Sequence, residues 1–372
     1  LKITIFGLTL SSSWGNGHAT PYRAILRALK RLRHQVTFYE KDVDYYSRHR
    51  DFFAPDFCRL VFYSDWADIR TRALAEAAAS DAVIVGSYCP EGQQICDDVL
   101  ALDRPVRVFY DLDTPITLAK LAGNSCEYLR RDQMPEFDLY LSFTGGQILS
   151  TLEHDYGVQR AAAIYGCVDP DVHHRRDHDA RYQCDLNYMG TYAADRQQKL
   201  ESLFLEPARR MMQKQFVLAG SLYPWDWHLP ENVRRFEHIP PGDHPAMYSS
   251  CRATLNITRD GMARAGFCPS GRFFEAAACG TPILTDWFEG LDTFFDPGEQ
   301  ILIVNNTDDV IAAIRMDDSD LARVAARARE RTLAEHTGDN RARELVRCIQ
   351  EARPSSRSNL APFNTSNNRL SA

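Results

Sequence analysis

The chain has 372 residues, a net charge of -7, 44% hydrophobic and 25% charged residues. That is close to a soluble globular average with room for two cores, and unlike a disordered or fibrous chain. The acidic balance argues against duplex nucleic acid as a standing partner, because neutralising phosphates takes a concentrated basic face; a local basic groove stays open.

No apolar run approaches the roughly 18 to 20 residues that cross a bilayer. The 10 cysteines are irregularly spaced without a C-x-x-C pair, and nothing at the N-terminus reads as a secretory signal. Reduced thiols in a cytoplasmic protein are expected.

Lys2–Gly7 predicts a short buried strand, 8–16 a Ser- and Gly-rich loop, and 21–32 a helix with apolar residues at Tyr22, Ile25, Leu26, Leu29 and Leu32. Further strands are predicted at 35–40, 82–86, 106–110 and 139–143, with helices near 67–80, 91–102 and 147–155. Such alternation implies a doubly wound α/β domain over 1–168, whose ligands bind beyond the carboxyl ends of the strands. Gly15-Asn16-Gly17-His18-Ala19-Thr20-Pro21 lies at one such end. A lone His is more often structural or exposed than catalytic, yet an imidazole at position 18 is chemically suited to act as a base, provided a carboxylate or carbonyl fixes the tautomer of His18.

Asp111-Leu112-Asp113-Thr114-Pro115 follows another strand. The two acids could hold a divalent metal, or cap a loop, or one of them could orient His18 or an acceptor hydroxyl. The orienting role is preferred, with Asp113 the favoured member because Asp111 is placed to serve the turn. The polar run 169–183 reads as a solvated interdomain linker. Its His173, His174 and His178, with Cys184 just beyond, match no common metal-site spacing.

A second domain is expected over 184–337. Its first strand, 184–190, empties into Thr191 and a helix running from Arg196 to about 212, so Gly190, Thr191 and Arg196 take the phosphate-facing turn. A strand at 216–220 leads to an aromatic loop holding Ser221 and Tyr223. Arg235 to Gly242 reads as a strand emptying into Pro-Pro-Gly, followed by a helix at 244–250 and a buried strand at 253–258 that ends in Arg259-Asp260. Helices follow at 308–315, 318–335 and 338–352, and the Ser- and Asn-rich tail 353–372 is expected to be disordered.

The most informative stretch is 267–288, Phe-Cys-Pro-Ser-Gly-Arg-Phe-Phe-Glu-Ala-Ala-Ala-Cys-Gly-Thr-Pro-Ile-Leu-Thr-Asp-Trp-Phe. Pro269 and Ser270 start a helix with Ser270 as N-cap, Gly280 and Pro282 end it, and Pro-Ile-Leu-Thr forms a strand. The free amides of that helix start, with Gly271 and the Arg272 guanidinium, make a site for a diphosphate. Glu275, one turn in, is costly beside phosphate unless it meets a neutral donor such as a ribose hydroxyl. The plainer alternative is an ordinary capped helix with Glu275 in solvent.

The string from Pro269 to Leu284 resembles the donor-site signature of glycosyltransferases of the GT-B fold. Extended through Leu291, it is more narrowly similar to the CgeB-like, spore-maturation type group. The resemblance implies two Rossmann-like domains facing a central cleft, with the last helix, 338–352, crossing back to the first. It implies a nucleoside-diphosphate sugar as donor, its ribose on Glu275 and its diphosphate near Ser270, Gly271, Arg272, Gly190, Thr191 and Arg196. Ser221 and Gly17 border that site, while Ile239 and Pro240 form the base slot and Tyr223 closes it. Asn16, His18, Asp111 and Asp113 would face the acceptor, with His18, Asp113 and Arg272 in catalytic roles.

The implied activity is transfer to a hydroxyl or similar acceptor without metal or cofactor. A nucleotide-sugar 2-epimerase and a non-catalytic sugar-nucleotide or glycan-binding module are the alternatives. Many relatives carry a second acid where this chain has Phe267, so the family's sugar contact does not carry over.

Overall fold

The structure, a computed structural model, describes residues 1–15, 17–224 and 226–352. Asn16 and the tail 353–372 lie outside the described residues.

The first half alternates β1 (Lys2–Gly7), α1 (Ala19–Arg31), β2 (Gln35–Lys41), α2 (Asp44–Ser47), β3 (Arg59–Tyr63), α3 (Trp66–Ala78), β4 (Ala82–Gly86), α4 (Gly92–Leu100), β5 (Val106–Asp111), α5 (Thr114–Ala122), β6 (Leu139–Ser142), α6 (Gln147–Asp155) and β7 (Ala161–Ala163). The strands form one parallel sheet in the order β3-β2-β1-β4-β5-β6-β7. β4, Ala-Val-Ile-Val-Gly, is buried throughout, as a central strand covered on both faces must be. Ile3, Ile5 and Ile84 pack toward α1 on one face; Phe6, Val83 and Val85 pack toward Trp66 and Ala73 of α3 on the other.

β3, β7 and α5 are absent from the expectations above. β3 is an edge strand with mixed exposure, and Ala-Ala-Ala in β7 has no strand-favouring side chain. α5 begins on Thr114-Pro115, and proline in a first turn is a helix-start signal.

The second half contains β8 (Cys184–Met189), α7 (Gln197–Leu200), α8 (Glu206–Arg210), β9 (Phe216–Ala219), β10 (Val233–Phe236), α9 (His244–Ser249), β11 (Cys251–Asn256), α10 (Asp260–Ala265), α11 (Gly271–Ala278), β12 (Ile283–Thr285), β13 (Leu302–Ile303), α12 (Thr307–Arg315), α13 (Asp318–Glu335) and α14 (Gly338–Ala352). This sheet is also parallel, in the order β10-β9-β8-β11-β12-β13. The helix predicted to reach 212 is interrupted by a π-turn at Glu201–Leu205, which widens the backbone just before Pro207, a residue with no amide to donate.

α14 lies against α1, and its Ala342, Leu345, Cys348 and Ile349 complete the core of the first sheet. The chain therefore crosses the seam between the sheets twice. Within the segment 169–183, expected to be solvated, 171, 175–178, 180, 181 and 183 are exposed, and the chain is anchored at the seam through a few buried residues. Asp169 accepts from Arg27 Nη1 of α1 at 3.1 Å, and its carbonyl accepts the His173 amide at 2.7 Å. Asp169, His173 and Tyr182 are the buried members of the segment.

Phe267 is a second pin. Its backbone adopts a left-handed φ of 45°, and a Cβ added at either Gly146 or Gly290 would meet its ring within 2.4 Å. Its carbonyl accepts from the Gly145 amide at 3.0 Å, so the residue joins the two domains and its side chain is turned away from the cleft.

Asp111 must be corrected as an acceptor contact. It is wholly buried at the end of β5, where its carboxylate accepts from Tyr140 Oη (2.7 Å), Thr117 Oγ1 (2.8 Å) and the Asp113 amide (3.1 Å). Burial pushes its carboxyl up to about 6 from 3.8, more than these bonds bring it down. A raised pKa means the folded state holds the proton more tightly, so the stabilisation is complete below about pH 3.8 and is lost as pH rises through about 6. Its size is on the order of 3 kcal/mol. Asp111→Asn keeps an acceptor and cannot ionise. The melting temperature of the variant minus that of the wild type should therefore climb between about pH 4 and 7 in a thermal unfolding series; a flat difference would refute this account.

Candidate functional site

The carboxyl ends of the two sheets face a cleft of about 380 Å³, within the range of small-molecule sites. On the second domain, the loops after β8 and β9 cross in backbone contact. A Cβ at Gly220, whose φ is 152°, would stand 2.0 Å from the Gly190 carbonyl oxygen, so no other residue permits this crossing. The Gly190 amide donates to the Ala219 carbonyl at 2.8 Å and that of Tyr192 to Ser221 at 2.9 Å. These bonds hold Gly190, Thr191 and Ser221 on the cleft wall.

α11 starts on the same wall. Ser270 is its N-cap, accepting from the Arg272 amide, and its hydroxyl also accepts from Arg272 Nε at 3.0 Å. Arg272 Nη1 donates to the Met189 carbonyl at the end of β8, so the guanidinium is clamped between helix start and strand end. Arg196 is 8% exposed, donates to the Thr191 carbonyl, and has no partner for Nε among the described residues. Burial, then the positive charges of Arg272 and Arg259, lower its pKa from the ordinary guanidinium value. Among the described residues, the Arg259 side chain pairs with Asp195, at 3.3 Å. Cations are thus crowded at a helix N-terminus with one acid on their rim, which is the electrostatic form of an anion site.

Glu275 lies on the cleft side of α11 and is 6% exposed. Burial pushes its carboxyl up, but His244, His173 and Arg272 together outweigh burial and hold it below the usual carboxylate value. His244 Nδ1 lies 3.5 Å from Oε2. At that distance the contact is electrostatic, and Oε2 has no hydrogen-bond partner among the described residues. Ile239 is buried on the same wall.

Two base-slot expectations are corrected. Pro240 is exposed and the adjacent Pro241 lines the cleft instead. Tyr223 is 5% exposed, stacked on Trp227 at 5.2 Å and crossed by the Arg235 guanidinium, so it supports the wall from behind. An aromatic residue at a strand end packs inward when a neighbouring ring offers it a face.

The first domain contributes Gly17, His18 and Asp113. His18 Nε2 is 3.4 Å from Asp113 Oδ2. Asp113 occupies the N-cap position of α5 without a side-chain cap bond, which leaves its carboxylate for the imidazole. The seam end of the cleft is closed by Phe143, Met262 and Cys268, with Thr144 Oγ1 donating to Cys268 Sγ at 3.0 Å.

The sequence reading gave no site role to Arg259, Met262 or His244. Arg259 had an available signal, a guanidinium at the carboxyl end of a predicted strand; His244, inside a helix start, had none. Among the described residues, no group of three or more His, Cys, Asp or Glu is arranged to hold a metal ion, and no helix is long and apolar enough to cross a membrane.

A family profile described as Glycosyl transferase-like matches residues 196–347. Among curated proteins, no sequence matches. Solved structures similar to the chain include sucrose-phosphate synthase from Thermosynechococcus elongatus, at 13% identity over 94% of this chain and 98% of that one, with a TM-score of 0.65. Anabaena HepE in complex with UDP and glucose matches at 11% identity over 94% and 100%, TM-score 0.65. An alpha-glucosyltransferase in complex with UDP and a 13-mer DNA matches at 12% identity over 94% and 99%, TM-score 0.69. At these identities the likeness concerns the fold, which is GT-B: two Rossmann-like α/β domains facing one cleft.

Proposed function

We propose that the protein is a glycosyltransferase that moves a sugar from a nucleoside-diphosphate sugar, UDP-linked in the first instance, to an acceptor hydroxyl. The observation that carries this reading is the cluster of Arg196, Arg259 and Arg272 at the start of α11, one turn from the buried Glu275. A diphosphate satisfies the cations and a ribose gives the carboxylate a neutral donor. The glycosyl transferase-like profile over 196–347 and the UDP complexes among similar folds support it.

In transfer, the acceptor oxygen bonds to the anomeric carbon as the bond from that carbon to the diphosphate oxygen breaks. The acceptor proton goes to the His18–Asp113 pair, and the arginines and helix amides take up the charge that grows on the leaving diphosphate. Guanidinium groups supply the charge that a metal would otherwise bring, so the reading is metal-independent. The finer assignments, a CgeB-like hexosyltransferase of the cytoplasm, rest on the 269–291 string and on ten free cysteines.

DNA is not the acceptor we infer, although a structurally similar enzyme was solved with it. Arg23, Arg27, Lys30 and Arg31 of α1 pair with Asp51, Asp169, Asp56 and Asp339, and the chain carries -7 overall.

UDP at about 100 times its Kd should stabilise the fold by about 2.7 kcal/mol, read as a rise in melting temperature. Arg272→Ala and Glu275→Ala should each weaken UDP about tenfold or more; unchanged affinity in both would remove this site. His18→Ala should lower kcat about 100-fold or more while donor affinity stays within about threefold, as expected for a group acting on the acceptor proton. Wild-type turnover in that variant would take His18 out of the mechanism.

A further inference from the structure

His244 is the side chain of the cleft that the mechanism above leaves unused. It opens α9, packs between the base slot and α11, and faces an acceptor with each ring nitrogen. Nε2 lies 3.1 Å from the Ile239 carbonyl oxygen, which can only accept, so Nε2 donates. Nδ1 lies 3.5 Å from Glu275 Oε2, an oxygen with no hydrogen-bond partner among the described residues. Only the doubly protonated ring donates in both directions. A second imidazole, His173 of the interdomain connection, is buried in the field of Glu275 and His244, and its Nδ1 also has no partner among the described residues.

These contacts bear on what Glu275 can do. A carboxylate on a buried helix face has several rotamers, and only one presents an oxygen to a ligand in the cleft. Serine or amide donors could fix it, yet no such bond to Glu275 occurs among the described residues; the imidazole edge is what it faces.

We infer that His244 is a positioning residue for Glu275, anchored to the base slot through Ile239 and holding the carboxylate in the orientation that receives the ribose hydroxyls. The inference rests on the nucleotide reading above. It makes recognition of base and ribose interdependent, because one ring touches the backbone of the first and the acid of the second.

The test exploits the two ring nitrogens separately. In His244→Asn the amide nitrogen stands near the position of Nδ1 and can still reach Glu275; in His244→Gln it stands near Nε2 and can reach only Ile239. Affinities of the full chain are measured by calorimetry for UDP, 2′,3′-dideoxy-UDP and inorganic diphosphate, with melting temperatures confirming that both variants are folded. The wild type should prefer UDP over the dideoxy compound by about tenfold or more. His244→Asn should keep most of that preference, His244→Gln should lose most of it, and diphosphate affinity should stay within about twofold in both.

An equal preference in wild type and His244→Gln overturns the role of His244 alone. So does a parallel loss for all three ligands, which is what a purely structural role would give. A wild type that binds no UDP, or does not separate it from the dideoxy analogue, overturns the nucleotide reading itself.

Discussion

Positive charge held in place without matching negative charge is the constraint on which this structure turns. Arg272 is clamped by the Ser270 hydroxyl and the Met189 carbonyl, and Arg196 by the Thr191 carbonyl. Their partners are neutral oxygens, so the cations are located without being neutralised. Burial first, and then like charges this close, oppose the ionised guanidinium, which is why the pKa of Arg196 falls. The core beneath must carry that cost. It does so through the largely buried inner strands β8, β9 and β11 and through the Gly190–Gly220 crossing, which brings the loops close enough to clamp the arginines at all.

The contrast between the two domains makes the same point from the other side. Both have a parallel sheet with a turn after the first strand, where backbone amides are left over from the sheet. In the first domain those amides are already used: the buried Glu40 carboxylate accepts from the amides of Leu10 (2.7 Å) and Ser11 (3.0 Å) and from the hydroxyls of Thr9 and Ser11. An internal anion fills the place a phosphate would take. The second domain has no such acid at its first turn among the described residues; there the Gly190 and Tyr192 amides are spent on the loop after β9, and Arg196 and Arg272 supply the positive charge at the cleft. One topology thus yields one anion site, in the second domain.

Much of this was readable from local rules. Strand ends and a helix start require only neighbours in sequence, so the turn at Gly190 and Thr191 and the helix start at Ser270, Gly271 and Arg272 could each be read locally, and the resemblance set them on one wall, where they lie. Burial was not readable in the same way. Asp111 and Asp113 are two residues apart, yet one is sealed under Tyr140 and the other is turned toward His18; only the packing of β6 and α5 separates them. Tyr223 and Pro240 fail for the same reason, since a loop residue faces in or out according to rings and chain that arrive from elsewhere. At 169–183 composition matched the exposed charged run 175–178 but gave no sign of the anchors, Asp169 paired with Arg27 and His173 in the field of Glu275.

The seam itself limits how the cleft can open. α14 is fastened to the first core, Asp169 to α1, and the Phe267 carbonyl to the Gly145 amide, with the Phe267 ring caught against Gly146 and Gly290. All are contacts between one domain and the other or the segments joining them, and Phe267 lies three residues before Ser270. A rotation of the domains about this seam must therefore be transmitted to the start of α11 through Cys268 and Pro269, a connection too short to absorb it. Proline stiffens that connection further by fixing its own φ and restricting Cys268. The arginine cluster at the start of α11 and the interdomain angle are in this way mechanically linked, and whatever orders one of them constrains the other.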